Sequence, residues 1–197
     1  MERLLDTALV VAAAPLWVPL LALLVALKAL IDGGPVLFGH DRLGRDGVPF
    51  VLFKIRTTPR DFKARPEDWP GEDFPPRTRF GQWLRRWDLD ELPQLWNVLR
   101  GQMSLVGPRP ETAFHSAKFA AEMPRFNDRM RVRPGMTGLA QVRGWRGDTN
   151  LYARLASDLE YLSQRGFRNW LWILARTIWI EMSGEGRGAV LYSRTLW

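Results

Sequence analysis

The sequence contains no cysteine and only two histidines, His40 and His115. The absence of cysteine excludes disulfide bonds, thiolate catalysis and cysteine-based zinc sites. Two histidines are too few to suggest a histidine metal site or a Ser-His-Asp triad. Any catalytic chemistry is therefore expected to depend on carboxylates and the cations beside them.

Negative charge is in shorter supply than positive charge. The 197 residues include 28 Lys and Arg against 21 Asp and Glu, a formal net charge of +7. A basic balance favours anionic partners: nucleic acid, phosphorylated small molecules or an anionic membrane face. Ten tryptophans are many for this length, and tryptophan prefers the membrane–water interface. The length suits one domain with appendages.

Residues 7–27 contain no charged side chain. As a helix they would reach roughly 30 Å, about one hydrocarbon thickness. Pro15 and Pro19 interrupt the run and predict a kink near its middle. A kinked apolar helix could cross the membrane, or it could turn back and leave by the face it entered. A cleaved signal peptide is a third interpretation, which the length of the run disfavours.

The rest of the chain predicts an α+β fold. Short strands at residues 36–38 and 50–56 flank a hairpin loop at 44–47, and a proline-rich irregular loop is expected over residues 59–78. Residues 133–138 are predicted as a loop and 139–142 as a short strand. Helices are predicted over residues 80–86, 92–99, 111–131, 151–164 and 168–182. The last helix suits either the membrane interface or a buried core.

Two adjacent carboxylates, Asp90 and Glu91, lie between the basic pair Arg85-Arg86 and the segment Val106-Gly107-Pro108-Arg109-Pro110. Adjacent helical side chains point about 100° apart, so the pair is not a shared-proton dyad. One carboxylate can bind a hard cation such as Mg²⁺, while an aspartate can attack phosphorus. The neighbouring arginines could hold phosphoryl oxygens. Asp88 is predicted to be a helix N-cap, with Glu91 completing a capping box, which leaves Asp90 without a structural role.

The order of residues around this pair resembles the bacterial sugar transferase family. These are monotopic phosphoglycosyl transferases that start glycan assembly on a polyprenyl carrier. The resemblance rests on Leu89-Asp90-Glu91-Leu92-Pro93-Gln94-Leu95 and on the Gly-Pro-Arg-Pro segment that follows at residues 107–110. It extends to Phe53-Lys54-Ile55-Arg56-Thr57 and to residues 133–142. The apolar run, broken at Pro19, is similar to the family's re-entrant membrane helix.

The resemblance implies a two-step transfer. Asp90 would attack the β-phosphate of a nucleoside diphosphate sugar, usually a UDP-sugar, and form a covalent phosphosugar–enzyme. Undecaprenyl phosphate would then take the sugar phosphate from it. Asp90 and Glu91 match the family's catalytic and magnesium-binding pair. The positions that match substrate-binding residues are Lys54, Arg56, Arg85, Arg109, Arg133, Gln141 and Asp158.

The resemblance also implies an organisation. A re-entrant membrane helix would occupy residues 1–30, and a catalytic domain with amphipathic interfacial helices residues 31–183. The glycine-rich composition of residues 184–197 predicts a flexible tail. The expected partners are a nucleotide-sugar, undecaprenyl phosphate and membrane lipids at the cytoplasmic face of a bacterial inner membrane, with no nucleic acid. Homo-oligomerisation stays open. The glycan could be exopolysaccharide, capsule, O-antigen or glycoprotein.

The sequence departs from the family pattern at two single positions and in one short segment. Val18 precedes Pro19 where the family commonly has a small hydroxyl residue, and Asp88 stands where Ser or Thr is common. This third acid could cap the helix, the role we favour, or raise the pKa of its neighbours by repulsion, or join the metal shell. Arg143-Gly144-Trp145-Arg146 replaces the usual Asn-Gly-Arg, which leaves the identity of the sugar open. A competing interpretation is a membrane-tethered basic module that binds nucleic acid or headgroups without catalysis, but carboxylates opposite a phosphate backbone would weaken such binding.

Overall fold

The computed structural model describes residues 2–63, 76–146 and 149–184. Helices and small sheets share this part of the chain, as the α+β prediction requires. Residues 64–75 of the predicted proline-rich loop and residues 185–197 of the predicted tail lie outside it. The elements in chain order are α1 (Glu2–Ala12), α2 (Ala14–Asp32), β1 (Leu37–Leu43), β2 (Pro49–Ile55), α3 (Arg79–Arg86), α4 (Gln94–Leu99), β3 (Ser104–Val106), α5 (Ala113–Glu122), β4 (Gly135–Thr137), α6 (Leu139–Val142), α7 (Leu151–Ser163) and α8 (Phe167–Ser183).

The predicted hairpin is confirmed. β1 and β2 pair antiparallel from Leu37 opposite Ile55 to Leu43 opposite Pro49, and a 3₁₀ turn at Arg45–Gly47 connects them. β1 is longer than the predicted strand, because polar residues follow its apolar start. The hairpin places Lys54 near the end of β2.

A second sheet lies where the sequence predicts a loop. β3 and β4 pair in parallel, with Ser104 opposite Gly135 and Val106 opposite Thr137. A side chain on Gly135 would lie 2.0 Å from the backbone nitrogen of Gly107, so glycine is needed here for close approach of two backbones. The predicted strand at 139–142 is wrong, since these residues form the helical turn α6. A short buried apolar run has no periodicity that separates strand from helix.

The predicted helix over residues 111–131 is two elements. α5 ends at Glu122, and a 3₁₀ helix at Phe126–Arg131 follows. Pro124 explains the interruption, because it has no N–H and disfavours a helical conformation at Met123. Met123 is accordingly extended, with φ −129° and ψ 94°.

The apolar N-terminal run forms two helices that are interrupted at Ala13. Pro15 lies in the first turn of α2, where the missing N–H would have had no partner. Pro19 lies inside α2, which continues to Asp32. The helix therefore continues through Pro19, where the sequence predicts a break, and the interruption lies at Ala13 instead. The Trp17 indole N–H donates to the carbonyl oxygen of Val10 at 2.9 Å, which satisfies one of the carbonyls freed at the end of α1.

Both ends of this apolar run contact the rest of the fold. On α1, Arg3 donates to the carbonyl oxygens of Val98 and Leu99, and the Ser104 hydroxyl donates to Asp6 at 2.7 Å. On α2 the buried side chains are Leu24 and Lys28. Among the described residues, α2 is the one helix whose length and composition would allow it to cross a membrane. Its apolar side chains are largely exposed, at Leu16, Val18, Leu20, Leu23, Leu30 and Ile31.

The C-terminal helices divide between core and surface. α7 is confirmed close to its predicted bounds, and Tyr161 packs with Trp170 and Ile173 of α8 in one hydrophobic core. The opposite face of α8 exposes large apolar side chains, namely Leu171, Trp172, Ile178, Trp179 and Met182. The buried-core interpretation is therefore confirmed for one face of α8, and a position at the membrane interface stays a prediction for the other. Leu84 of α3 is buried, whereas Trp87 is exposed.

Candidate active site

A left-handed residue presents the two carboxylates to the protein interior. α3 ends at Arg86, and Asp88 adopts φ 49°, ψ 20° before a 3₁₀ turn at Leu89–Glu91. Few residues other than glycine adopt this conformation, although aspartate tolerates it better than most. The chain reverses there, so that Asp90 and Glu91 are buried, at 2% and 7% exposure.

The predicted capping role of Asp88 is wrong. Its side chain makes no cap hydrogen bond, because an N-cap residue needs extended backbone angles and Asp88 is left-handed. Its carboxylate instead lies 3.3 Å from Arg146, which also pairs with Glu181 at 3.1 Å. Glu91 completes no capping box either, since its side chain is engaged elsewhere.

The Glu91 carboxylate is held by three cations from three separate elements. Its Oε1 accepts from Lys54 Nζ at 2.7 Å, from Arg109 Nη2 at 2.6 Å and from Arg85 Nη1 at 3.3 Å. Its Oε2 accepts from Arg109 Nη1 at 3.3 Å. Burial alone would raise the pKa of Glu91, but Arg109, Lys54 and Arg85 outweigh it and hold that pKa well below its usual range. Glu91 is therefore ionised at neutral pH.

Asp90 is partnered on one oxygen only. Its Oδ2 accepts from Arg85 Nη1 at 3.0 Å, whereas its Oδ1 is buried and has no hydrogen-bond partner within the described ranges. Buried carboxylate oxygens are normally satisfied. An oxygen left free beside a group of cations is suited to react with, or bind, an incoming electrophile or cation.

The three cations carry more positive charge than the two carboxylates neutralise. The side chains of Lys54, Arg85 and Arg109 remain 17%, 33% and 28% exposed. Burial lowers the pKa of Lys54 to about 8, against the opposing effect of Glu91. Glu91 raises the pKa of Arg109 above its ordinary value. The site therefore keeps a positive excess that solvent, or an anionic substrate, can reach.

A second buried ion network holds the backbone of Arg109. Arg129 Nη2 donates to the carbonyl oxygen of Arg109 at 2.8 Å and lies 2.7 Å from Asp158. Glu111 in turn pairs with Arg154 and lies 3.8 Å from Arg129. Burial raises the pKa of Asp158 above its ordinary value. The structure thus places Asp158, a predicted substrate-binding residue, in this second network, which reaches Arg109 through Arg129. The other members of this network are not predicted from the sequence, in which the i,i+4 spacing of Arg154 and Asp158 on α7 is the one signal of them.

Three other predicted substrate-binding residues bond to backbone carbonyls. Arg56 donates to Asp32 and Gly33 at 3.1 and 2.8 Å. Arg133 Nε donates to Gly101 at 2.9 Å, and Gln141 Nε2 donates to Met136 at 2.8 Å. These bonds hold loops and element ends together. The structure therefore joins Lys54, Arg85 and Arg109 to the carboxylate pair, and it gives Arg56, Arg133 and Gln141 different partners.

The carboxylate pair fits a magnesium ion in part. Mg²⁺ usually takes one or two protein carboxylates together with substrate phosphates. The free Oδ1 of Asp90 offers one such ligand. Both oxygens of Glu91 are already held by cations, and the described residues contain no group of three His, Cys, Asp or Glu side chains able to hold a metal ion. Coordination by Glu91 would require at least one cation to give up its contact.

Comparisons with known proteins agree with the resemblance. A family profile described as bacterial sugar transferase matches residues 1–184. A UDP-glucose:undecaprenyl-phosphate glucose-1-phosphate transferase of Caulobacter vibrioides is 41% identical over 188 residues, which cover 90% of this chain and 68% of the relative. The exopolysaccharide production protein ExoY of Sinorhizobium fredii is 38% identical over 177 residues, 81% of this chain and 76% of the relative.

Several relatives are much longer than this chain. A protein of Escherichia coli with the same name as the Caulobacter relative is 37% identical over 150 residues, 74% of this chain but 32% of the relative. The chain thus spans about a third of the length of such relatives, and the similarity concerns that portion of them.

Replacing Glu91 with glutamine should destabilise the fold more than a matched surface change. The variant leaves three converging cations without their buried anion, and breaking a buried ion pair typically costs about 3–5 kcal/mol. Glu160→Gln removes the partner of Arg143 in an exposed pair and should cost less than about 1 kcal/mol. Thermal unfolding of both variants in detergent measures the difference. Equal midpoints would contradict the organising role of Glu91.

Proposed function

Because the chain belongs to the bacterial sugar transferase family, we propose that it transfers a sugar-1-phosphate from a UDP-sugar to undecaprenyl phosphate. The names of the relatives supply the classes of donor and acceptor. The observation that carries the proposal to this chain is the unpaired, buried Oδ1 of Asp90 beside three cations. A non-catalytic headgroup-binding module would have no use for such an oxygen.

The transfer proceeds in two displacements at phosphorus. Oδ1 of Asp90 attacks the β-phosphorus of the donor, forming an aspartyl–phosphate bond as the bond from that phosphorus to the oxygen of UMP breaks. UMP leaves with the bonding electrons. A phosphate oxygen of undecaprenyl phosphate then attacks the same phosphorus and releases the Asp90 carboxylate. The product is a diphosphate-linked sugar on the lipid, the starting point of a bacterial glycan.

The cations stabilise the negative charge that develops on the phosphoryl oxygens. Arg85 and Arg109 present planar donor pairs suited to phosphate, and Lys54 adds a point charge. Glu91 keeps all three oriented before the donor arrives, which lowers the cost of reorganisation during reaction. A Mg²⁺ ion bound by Asp90 or Glu91 together with the donor phosphates would neutralise part of the diphosphate charge.

The contacts of the apolar run support a re-entrant helix, and a soluble nucleotide-sugar donor favours the cytoplasmic face of the bacterial inner membrane. Arg3 and Asp6 on α1 bond to the same body as Lys28 near the end of α2. A straight spanning helix would separate these contacts by a hydrocarbon thickness. The exposed apolar side chains of α2 and α8 then face lipid, and the site lies where a soluble nucleotide-sugar can meet a lipid-bound acceptor.

Asp90→Asn should abolish transfer while preserving the fold, because the amide keeps the size of the carboxylate and is a poor nucleophile. The assay is UMP release from a panel of UDP-sugars in the presence of undecaprenyl phosphate. Asp46→Asn is the matched control, since it makes the same substitution at an exposed hairpin residue that pairs with Arg45. Substantial activity of Asp90→Asn removes the nucleophile role, and no UMP release by the unchanged chain with any sugar removes the proposed donor class.

The rate of transfer should fall as the pH rises through about 8. The pKa of Lys54 is lowered to about 8, so its cation is present below that pH and is lost above it. Lys54→Arg should move the alkaline limb of kcat/KM to higher pH, because a guanidinium stays protonated. An unchanged limb in Lys54→Arg would mean that another group causes it.

The absence of native cysteine allows a clean test of topology. A single cysteine replacing Glu2 should react with a membrane-impermeant maleimide from the cytoplasmic side, as should one replacing the exposed Asp41 of the hairpin. The cysteine at position 41 reports the side of the membrane on which the hairpin lies. Labelling of the two cysteines from opposite sides would show that the apolar run spans the membrane.

A further inference from the structure

A buried lysine lies near the end of the apolar helix α2. Lys28 is 0% exposed, and its ammonium contacts Asp32 one turn along and the Thr78 hydroxyl at 3.2 Å. The Thr78 hydroxyl also donates to Asp32 Oδ2 at 2.7 Å. A charge is buried at acceptable cost only when it is paired. We call Lys28, Asp32 and Thr78 the polar junction.

The polar junction continues into α3. The Thr78 hydroxyl oxygen accepts from the backbone N–H of Gly81 at 3.0 Å, so Thr78 is the N-cap that starts this helix. α3 is eight residues long and carries Arg85 in its last turn. Arg85 donates to Oδ2 of Asp90. A shift at the start of so short a helix is transmitted directly to the guanidinium at its end.

The same junction adjoins the end of β2. Arg56 donates to the carbonyl oxygen of Asp32, and the backbone N–H of Thr78 donates to Thr57 at 3.0 Å. A side chain on Gly81 would lie 2.0 Å from the Thr57 carbonyl oxygen, so the first turn of α3 lies directly against this strand end. β2 carries Lys54. The junction therefore sets how far apart Arg85 and Lys54 stand.

We propose that Thr78 is a positioning residue. Through the polar junction it makes the position of Arg85, and hence the contact of Arg85 with Asp90, depend on the position of α2. The proposal rests on the proposed function in one respect, namely that the Arg85–Asp90 contact belongs to the reaction centre. It also gives a role to the buried Lys28, which takes no part in the proposed transfer chemistry: Lys28 fixes the position of Thr78 relative to α2.

Thr78→Val tests the role of the hydroxyl at nearly constant shape. We expect kcat to fall about tenfold with the donor KM unchanged, because misplacing a catalytic cation impairs the reaction more than binding. Thr78→Ser keeps the hydroxyl and should restore kcat to within about twofold of the unchanged chain. Thr7→Val makes the same substitution at a hydroxyl that bonds within α1 to the Arg3 carbonyl, outside the polar junction, and serves as the matched control with kcat retained.

A double-mutant cycle separates positioning from loss of stability. If Thr78 acts through Arg85, Thr78→Val should change kcat less than about twofold in an Arg85→Lys background. A full tenfold loss in that background, or a loss of the same size in Thr7→Val, overturns the proposal. Lys28→Met should lower kcat in the same direction and should not add to Thr78→Val.

Hydrogen exchange of the full chain in lipid nanodiscs provides a readout that needs no activity. Thr78→Val and Lys28→Met should both speed exchange in peptides covering residues 79–91 and leave those covering residues 151–163 unchanged. Unchanged exchange in residues 79–91 contradicts the proposal. If the unchanged chain releases no UMP, the proposed function fails, whereas this exchange pattern still decides whether the junction holds α3.

Discussion

The ionised Glu91 carboxylate is the group on which the site depends. Lys54, Arg85 and Arg109 come from β2, α3 and the loop after β3, and like charges do not converge unless a buried anion compensates them. The hairpin, the left-handed turn at Asp88 and the parallel pair of strands each bring one member to Glu91. The fold can be understood as the arrangement that delivers these three cations to one carboxylate.

This constraint divides the work of the two adjacent acids. Glu91 is saturated with hydrogen bonds and orients the cations, whereas Asp90 keeps one oxygen free. Had both carboxylates been fully paired, the site would be a structural ion cluster. Had both been free, the cations would repel each other and the loops that carry them would separate. Under the proposed function, this asymmetry supplies a preorganised group of cations for the donor phosphate beside the oxygen that would attack it.

The sequence allowed this centre to be predicted but gave less information about what surrounds it. The Asp90–Glu91 pair and its three cations follow from motif order, and the hairpin and the helix at residues 151–164 follow from periodicity. Motif membership does not tell which side chains also bond to backbone carbonyls, as Arg56, Arg133 and Gln141 do; their contact with substrate stays a prediction. Gly135 resembles a loop residue until the opposite backbone is known, and Asp88 resembles an N-cap until its left-handed conformation is known.

The covalent role of Asp90 is the central claim. Its most direct test is to incubate the full chain in detergent with a UDP-sugar that supports UMP release, to omit undecaprenyl phosphate, and to map the quenched protein by peptide mass spectrometry. The account predicts a sugar-phosphate mass increment on Asp90, which disappears when undecaprenyl phosphate is added. An increment on another residue, or UMP release that occurs only with the acceptor present and leaves no adduct, would contradict it.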